Sequence, residues 1–95
     1  MTVKTVSGKV KKHNVNLVTI STCIWCIRLK AKLNNKSIQY SYTDIDVLPS
    51  DEKEELKNKL RNTLPQLAFP MMFVDGTYIP NDDIDDKIQD LVQDG

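Results

Sequence analysis

What this chain lacks narrows its function before any motif is read. It has no surplus of charge: thirteen lysines and arginines offset thirteen aspartates and glutamates, for a formal net charge of zero at pH 7. No overall field therefore draws it to nucleic acid or to an anionic membrane surface. It has no apolar run near the roughly 18–20 residues that a membrane-spanning helix requires. The lysines near its N-terminus are not followed by the uninterrupted apolar stretch of a secretory signal. On these grounds the chain is expected to be cytoplasmic. It holds one histidine, His13, and two cysteines, Cys23 and Cys26. In a reducing cytosol two neighbouring cysteines are catalytic or metal-binding more often than structural. A structural zinc site normally takes four Cys or His ligands. With only His13 to add to the pair, a closed zinc site cannot be built within one chain, and no metal ligands are expected. There are no internal repeats, low-complexity tracts or linkers.

What is present fits a single domain over residues 1–95, with 1–13 as an N-terminal extension and 14–95 as the core. A chain of this size buries only about 60–70% of the surface that its unfolded form exposes, enough for one modest core. The charges are unevenly placed. Residues 1–36 contain Lys4, Lys9, Lys11, Lys12, Arg28, Lys30, Lys32 and Lys36 and no acid, whereas Asp75 to Asp94 is mostly acidic. That asymmetry is read as two solvated faces.

Residues 2–13 read as a lysine-rich edge hairpin or arm, with Ser7-Gly8 as its turn. Val15 to Ile20 is short, β-branched and almost continuously apolar, as expected of a central strand covered on both faces. From Cys23 to about Leu33 the period becomes helical. Cys26, Leu29 and Leu33 fall on one face and Ile24, Ile27 and Ala31 on the opposite one, which predicts a helix sandwiched in the interior. Ile38 to Val47 alternates and then shifts phase, a second strand with an irregular end. Pro49-Ser50 opens a charged helix whose single stripe of Leu56, Leu60 and Leu64 marks it as peripheral. Met71–Val74 and Thr77–Ile79 around Asp75-Gly76 predict a tight hairpin. A final helix near Asn81 buries Ile84, Ile88, Leu91 and Val92. The order predicts an α/β, thioredoxin-like layout: a mixed four-stranded sheet with helices on both faces, plus the N-terminal β arm or hairpin.

Cys23-Ile24-Trp25-Cys26 stands where a buried strand ends and a helix begins. The free N–H groups and the positive end of the dipole at a helix start both favour a thiolate, and a CxxC setting lowers a thiol pKa by one to several units. Cys26, one turn deeper, can close a ring with Cys23. Attack by Cys23 on a disulfide gives a mixed disulfide, and Cys26 resolves it. A CxxC pair at the first strand-to-helix junction of a βαβ pattern is a specific redox signal. Trp25 is read as the apolar lip that contacts substrate, with Thr22 and Ile24 beside it. His13 is read as a solvated arm residue rather than a base for Cys23. Met71 and Met72 read as strand packing, and Tyr40, Tyr42 and Tyr78 as packing on the sheet.

The stretch from Leu17 through Val92 resembles a glutaredoxin, and more closely the prokaryotic glutaredoxin-like proteins with a Ser-Thr-Cys-x-Trp-Cys site. VTISTCIWC (18–26), YTDID (42–46), FPMMFVDG (69–76) and the terminal amphipathic helix carry the resemblance. It implies a reversible Cys23–Cys26 disulfide as the only redox group, with no further cofactor. It also implies a cis-proline at Pro70, and backbone pairing of substrate at Phe69. Implied partners are disulfide-containing proteins, ribonucleotide reductase among them, and the protein is expected to be a monomer. Three departures qualify this. Ile24 and Trp25 stand where the family usually has Pro and Tyr or Phe. Ser21-Thr22 replace a lysine, and Pro80-Asn81 replace the Gly-Gly that holds the glutathione carboxylate. Use of glutathione is therefore not expected to be strong, and a protein disulfide reductase is the expected electron donor. Two alternatives stay open: an ordinary glutathione-coupled glutaredoxin, and a [2Fe–2S] carrier or sensor in which two chains share a cluster through Cys23.

Overall fold

Val15–Thr19 (β2) is the strand around which the protein is organised; all of it but Asn16 is buried. The computed structural model describes residues 3–64 and 68–94. Its other elements are β1 (Lys4–Val6), α1 (Ile24–Asn35), β3 (Tyr40–Asp44), α2 (Ser50–Thr63), β4 (Met71–Val74), β5 (Thr77–Ile79) and α3 (Ile84–Asp94). The described strands form one sheet in the order β1-β3-β2-β4-β5. β2 runs parallel to β3 and antiparallel to β4, and β4 pairs antiparallel with β5. The layout is the mixed, thioredoxin-like sheet that the sequence pattern predicts.

Alternation along the strands divides the core in two. Val15 and Leu17 of β2, Tyr40 of β3, and Met72 and Val74 of β4 pack with Leu29 and Leu33 of α1 and with Ile84, Ile88 and Leu91 of α3. Val18 and Met71 point the other way, to Ile45, Leu48 and Leu60, with Leu56, Leu64, Phe69 and Phe73 packed against them. Helices therefore cover both faces. Met71 and Met72 are 0% exposed, the packing role that the sequence suggested. Among the described residues no helix is long and apolar enough to cross a membrane.

Three sequence expectations are narrowed or corrected. First, of the arm and hairpin alternatives for residues 2–13 the arm holds: β1 pairs antiparallel with β3 as a fifth strand. Val10 instead bridges to Ile38, through Val10 N–H to Ser37 O (2.9 Å) and Gln39 N–H to Val10 O (2.8 Å). Gly8 makes this close approach possible, since a β-carbon there would lie 2.4 Å from the Ser37 carbonyl oxygen. Residues 1 and 2 of the N-terminal extension lie outside the described residues. Second, α1 is buried on one face only. Cys26, Leu29 and Leu33 are buried, but Ile24 and Ile27 are 53% and 49% exposed. The helix lies on the sheet with α3 on the same layer, and nothing among the described residues covers its outer side. Third, β3 stops at Asp44. The phase shift after it is a 3-10 turn over Ile45–Val47 that drops Ile45 into the second core cluster and leaves Val47 exposed.

The Asp75-Gly76 turn forms as expected. Both residues have positive φ (51° and 83°), the backbone that a two-residue type I′ hairpin demands. Asp75 also fastens the start of β2: its carboxylate accepts the Asn14 N–H (2.8 Å) and meets His13 Nδ1 (2.6 Å). His13 thus belongs to the end of the sheet away from the cysteines. It is half-buried against Asp75 rather than merely solvated.

Candidate active site

Sheet register gathers the candidate residues at one edge. Parallel pairing of β2 with β3 (Thr19 opposite Asp44) ends both strands on the same side. Antiparallel pairing of Val18 with Met71 brings the entrance of β4, and with it Phe69 and Pro70, to that side too. The chain leaves β2 through a turn closed by Cys23 N–H to Ile20 O (3.0 Å). Asp46 clamps this turn from the neighbouring 3-10 segment, accepting the Ser21 N–H (2.9 Å) and the Ser21 hydroxyl. Those two hydrogen bonds hold the Asp46 carboxyl below its usual range.

Cys23 is the N-cap of α1, with extended backbone (φ −78°, ψ 119°). Its sulfur accepts the Cys26 N–H at 3.4 Å, so the thiol takes the place that a capping Ser or Asp oxygen usually fills. Both cysteines are free thiols; Cys23 is half-exposed and Cys26 is buried. Their ionisation diverges. A hydrogen bond from the Cys26 thiol lowers the Cys23 pKa; partial burial opposes it, and the N–H groups of Cys26 and Trp25 assist. Burial pushes Cys26 up to about 11, with the Cys23 charge adding to the rise. A backbone hydrogen bond from Ile20 and the Lys30 ammonium oppose it. Thus one thiol is prepared to ionise first, and the other is held as its hydrogen-bond donor.

Alkylation followed against pH should therefore resolve two steps. Cys23 should label with a midpoint below the ordinary thiol value, and Cys26 only at clearly higher pH, since burial still raises its pKa after Cys23 is capped. Peptide mapping of the label checks the order. Simultaneous labelling of both thiols at one ordinary midpoint would contradict it.

Trp25 is 62% exposed, and the Arg28 guanidinium lies over its ring at 4.9 Å from the centroid. Beside them a cleft runs past Phe69 and Pro70 to Asn81 and Asp85 at the start of α3. Of the residues singled out from the sequence, the structure thus joins Trp25, Phe69 and Pro70 on one cleft. Thr22 and Ile24 are exposed next to Cys23 but do not line it. The Phe69–Pro70 peptide is cis, Pro70 is buried and Phe69 half-buried. Lys32 crosses to Asp85 (2.7 Å), joining α1 to α3. Among the described residues no group of three or more His, Cys, Asp or Glu side chains could hold a metal ion.

Sequence reading gave no role to Asp46, or to Asp44 and Lys30, which pair at 3.1 Å beneath the site. The signal was available in Tyr42-Thr43-Asp44-Ile45-Asp46. Two acids at the end of a strand parallel to β2 must arrive beside the residues that follow β2.

Comparison with known proteins agrees with this geometry. A family model described as Glutaredoxin matches residues 15–79. Glutaredoxin 1 of Rickettsia typhi is 31% identical over 85 residues, spanning 87% of this chain and 74% of that one. Glutaredoxin 3 of Escherichia coli is 33% identical over 63 residues, spanning 66% and 76%. The crystal structure of the glutaredoxin from Methanosarcina mazei superposes with a TM-score of 0.74 at 27% identity, covering 90% of this chain and 86% of that one.

Proposed function

The chain belongs to the glutaredoxin family, and from that premise we propose that it reduces protein disulfides through the Cys23–Cys26 dithiol. Its electrons come from a protein disulfide reductase in preference to glutathione. The observation that carries the reading is the asymmetry of the pair. Cys23 is half-exposed with its pKa lowered, and Cys26 is buried behind it with its pKa raised.

Each step balances. The Cys23 thiolate attacks one sulfur of a substrate disulfide; a Cys23–substrate bond forms, the substrate S–S bond breaks, and the leaving sulfur departs as a thiolate that takes a proton from water. Cys26 then loses its proton and attacks Cys23 Sγ. The ring disulfide forms, and the second substrate sulfur leaves with its electron pair. Two electrons have passed from the dithiol to the substrate. The exposed Trp25 and the Phe69–Pro70 wall of the cleft offer an apolar seat for the chain flanking the substrate disulfide.

The charges around the motif favour a protein over glutathione, which carries two carboxylates. Ser21-Thr22 stand where the family has a lysine, and Ser21 brings the ionised Asp46 carboxylate with it. Pro80-Asn81 stand where the family has its Gly-Gly, so two flexible backbone donors are lost ahead of the exposed Asp82 and Asp83. Of the two cations in the cleft, Lys32 is held by Asp85 and Arg28 lies on Trp25. A cytoplasmic disulfide enzyme such as ribonucleotide reductase is a substrate of the required kind.

The test is reduction of a generic protein disulfide, run separately with glutathione and with a thioredoxin-reductase-type donor. Turnover should be sustained by the protein donor and slow with glutathione. Equal turnover with the two would remove the preference, and no reduction with either would remove the function.

A further inference from the structure

The dithiol reading leaves one difficulty. Cys26 is 0% exposed, yet to resolve a mixed disulfide it must become a thiolate where water cannot solvate it. Among the described residues the one full positive charge pulling on it belongs to Lys30, four residues on along α1. Side chains at that spacing neighbour each other on one face of a helix, with β-carbons about 5–6 Å apart.

Lys30 does not wander. Its side chain is 19% exposed, its Nζ is 3.1 Å from Asp44 Oδ1, and it sits 3.9 Å from the centre of the Tyr42 ring. Asp44 is itself 14% exposed and accepts the hydroxyl of the fully buried Thr19. Partly burying a lysine and an aspartate costs desolvation that their attraction does little more than offset, so stability is a weak reason for the pair. Position is a better one. On the elements packed around Cys26 the other charged or titratable groups are engaged elsewhere. Arg28 lies on Trp25, Lys32 on Asp85, Asp46 on Ser21, and Tyr40 on Asn34. The remaining charge that acts on Cys26 is the Cys23 thiolate, which opposes its ionisation. That opposition ends when Cys23 enters a mixed disulfide, leaving the Ile20 backbone hydrogen bond and the Lys30 charge to favour the thiolate.

We propose that Lys30, anchored by Asp44 and Thr19, is a positioning residue for the second half-reaction: its ammonium holds the field in which buried Cys26 ionises and attacks Cys23 Sγ. Cys26 gives its proton to bulk water, the Cys23–Cys26 bond forms, and the substrate thiolate leaves. The inference rests on Cys26 being the resolving thiol.

Stopped-flow reaction of the reduced protein with dithiobis(nitrobenzoate) separates the two halves, because each attack releases one coloured thionitrobenzoate. Lys30→Gln should slow the second release about three- to tenfold near neutral pH and move its pH midpoint upward. A pKa rise of about one unit lowers the thiolate fraction tenfold, partly offset by greater nucleophilicity. Lys30→Arg should restore the parent rate. Asp44→Asn, which leaves the ammonium uncompensated, should shift the midpoint the other way. The first release should keep its rate in all three. The doubly neutral Lys30→Gln/Asp44→Asn protein leaves no unpaired charge and should still show the slow second release. Opposite shifts support the role. Shifts of one sign, or changes in both releases together, overturn it as mere loosening of the helix, and an unchanged second release overturns it outright. A parent protein whose second release survives Cys26→Ser would instead overturn the dithiol reading itself.

Discussion

Cys23→Ser should abolish disulfide reduction, a fall of roughly a thousandfold or more, the scale on which loss of a covalent nucleophile is felt. A serine hydroxyl remains protonated at neutral pH whatever its neighbours donate, so the hydrogen bonds from Cys26 and Trp25 that favour a thiolate at Cys23 have nothing to act on. Cys26→Ser should behave differently. The first attack survives, slowed only because the serine hydroxyl replaces the thiol that donates to Cys23. Resolution is lost, so one substrate equivalent stays attached. Activity in multiple-turnover and single-turnover assays distinguishes the two: Cys23→Ser is inactive in both, Cys26→Ser only in the first. Full multiple-turnover activity in Cys23→Ser would end the assignment.

A large structural effect is expected at Leu33. This side chain is 0% exposed and packs between α1 and the sheet with Leu17, Tyr40 and Leu91 in its cluster. Leu33→Ala should cost about 2–5 kcal/mol, the transfer energy of the lost methyl groups plus the cavity they leave. For a domain whose whole stability is about 5–14 kcal/mol, that is a substantial share of it, from about a seventh to all of it. Ile27→Ala, on the same helix but 49% exposed, should cost less than about 0.5 kcal/mol. Urea unfolding with an unchanged slope measures both. Equal losses at the two positions would mean that the outer face of α1 is buried after all.

That contrast marks where the sequence was legible and where it was not. The central strand, the helix starting at Cys23, the Asp75-Gly76 hairpin and the α3 stripe are each specified within a few consecutive residues, and each forms as its pattern predicts. Ile24 and Ile27 misled because periodicity reports that a face is apolar, not that anything covers it. The two isoleucines, like Trp25, are left exposed. The arm was ambiguous for a related reason. Lys4, Thr5 and Val6 fit any edge, and only the register with Tyr40, Ser41 and Tyr42 decides which one. The polar groups around the cysteines were the least readable. Asp46 lies 25 residues from Ser21, and Asp44 lies 14 from Lys30. These contacts exist only because β2 and β3 are parallel neighbours, a tertiary fact that neither local sequence contains.

The dithiol mechanism is tested most directly by locating the trapped bond. The Cys26→Ser protein, reacted with a protein disulfide and digested without reductant, should yield one mixed disulfide, joining the substrate to the peptide that contains Cys23. Cys23→Ser, treated alike, should yield none. A substrate linked instead to Cys26 in the Cys23→Ser protein, with none linked to Cys23 in the other, would contradict the account by reversing the two roles.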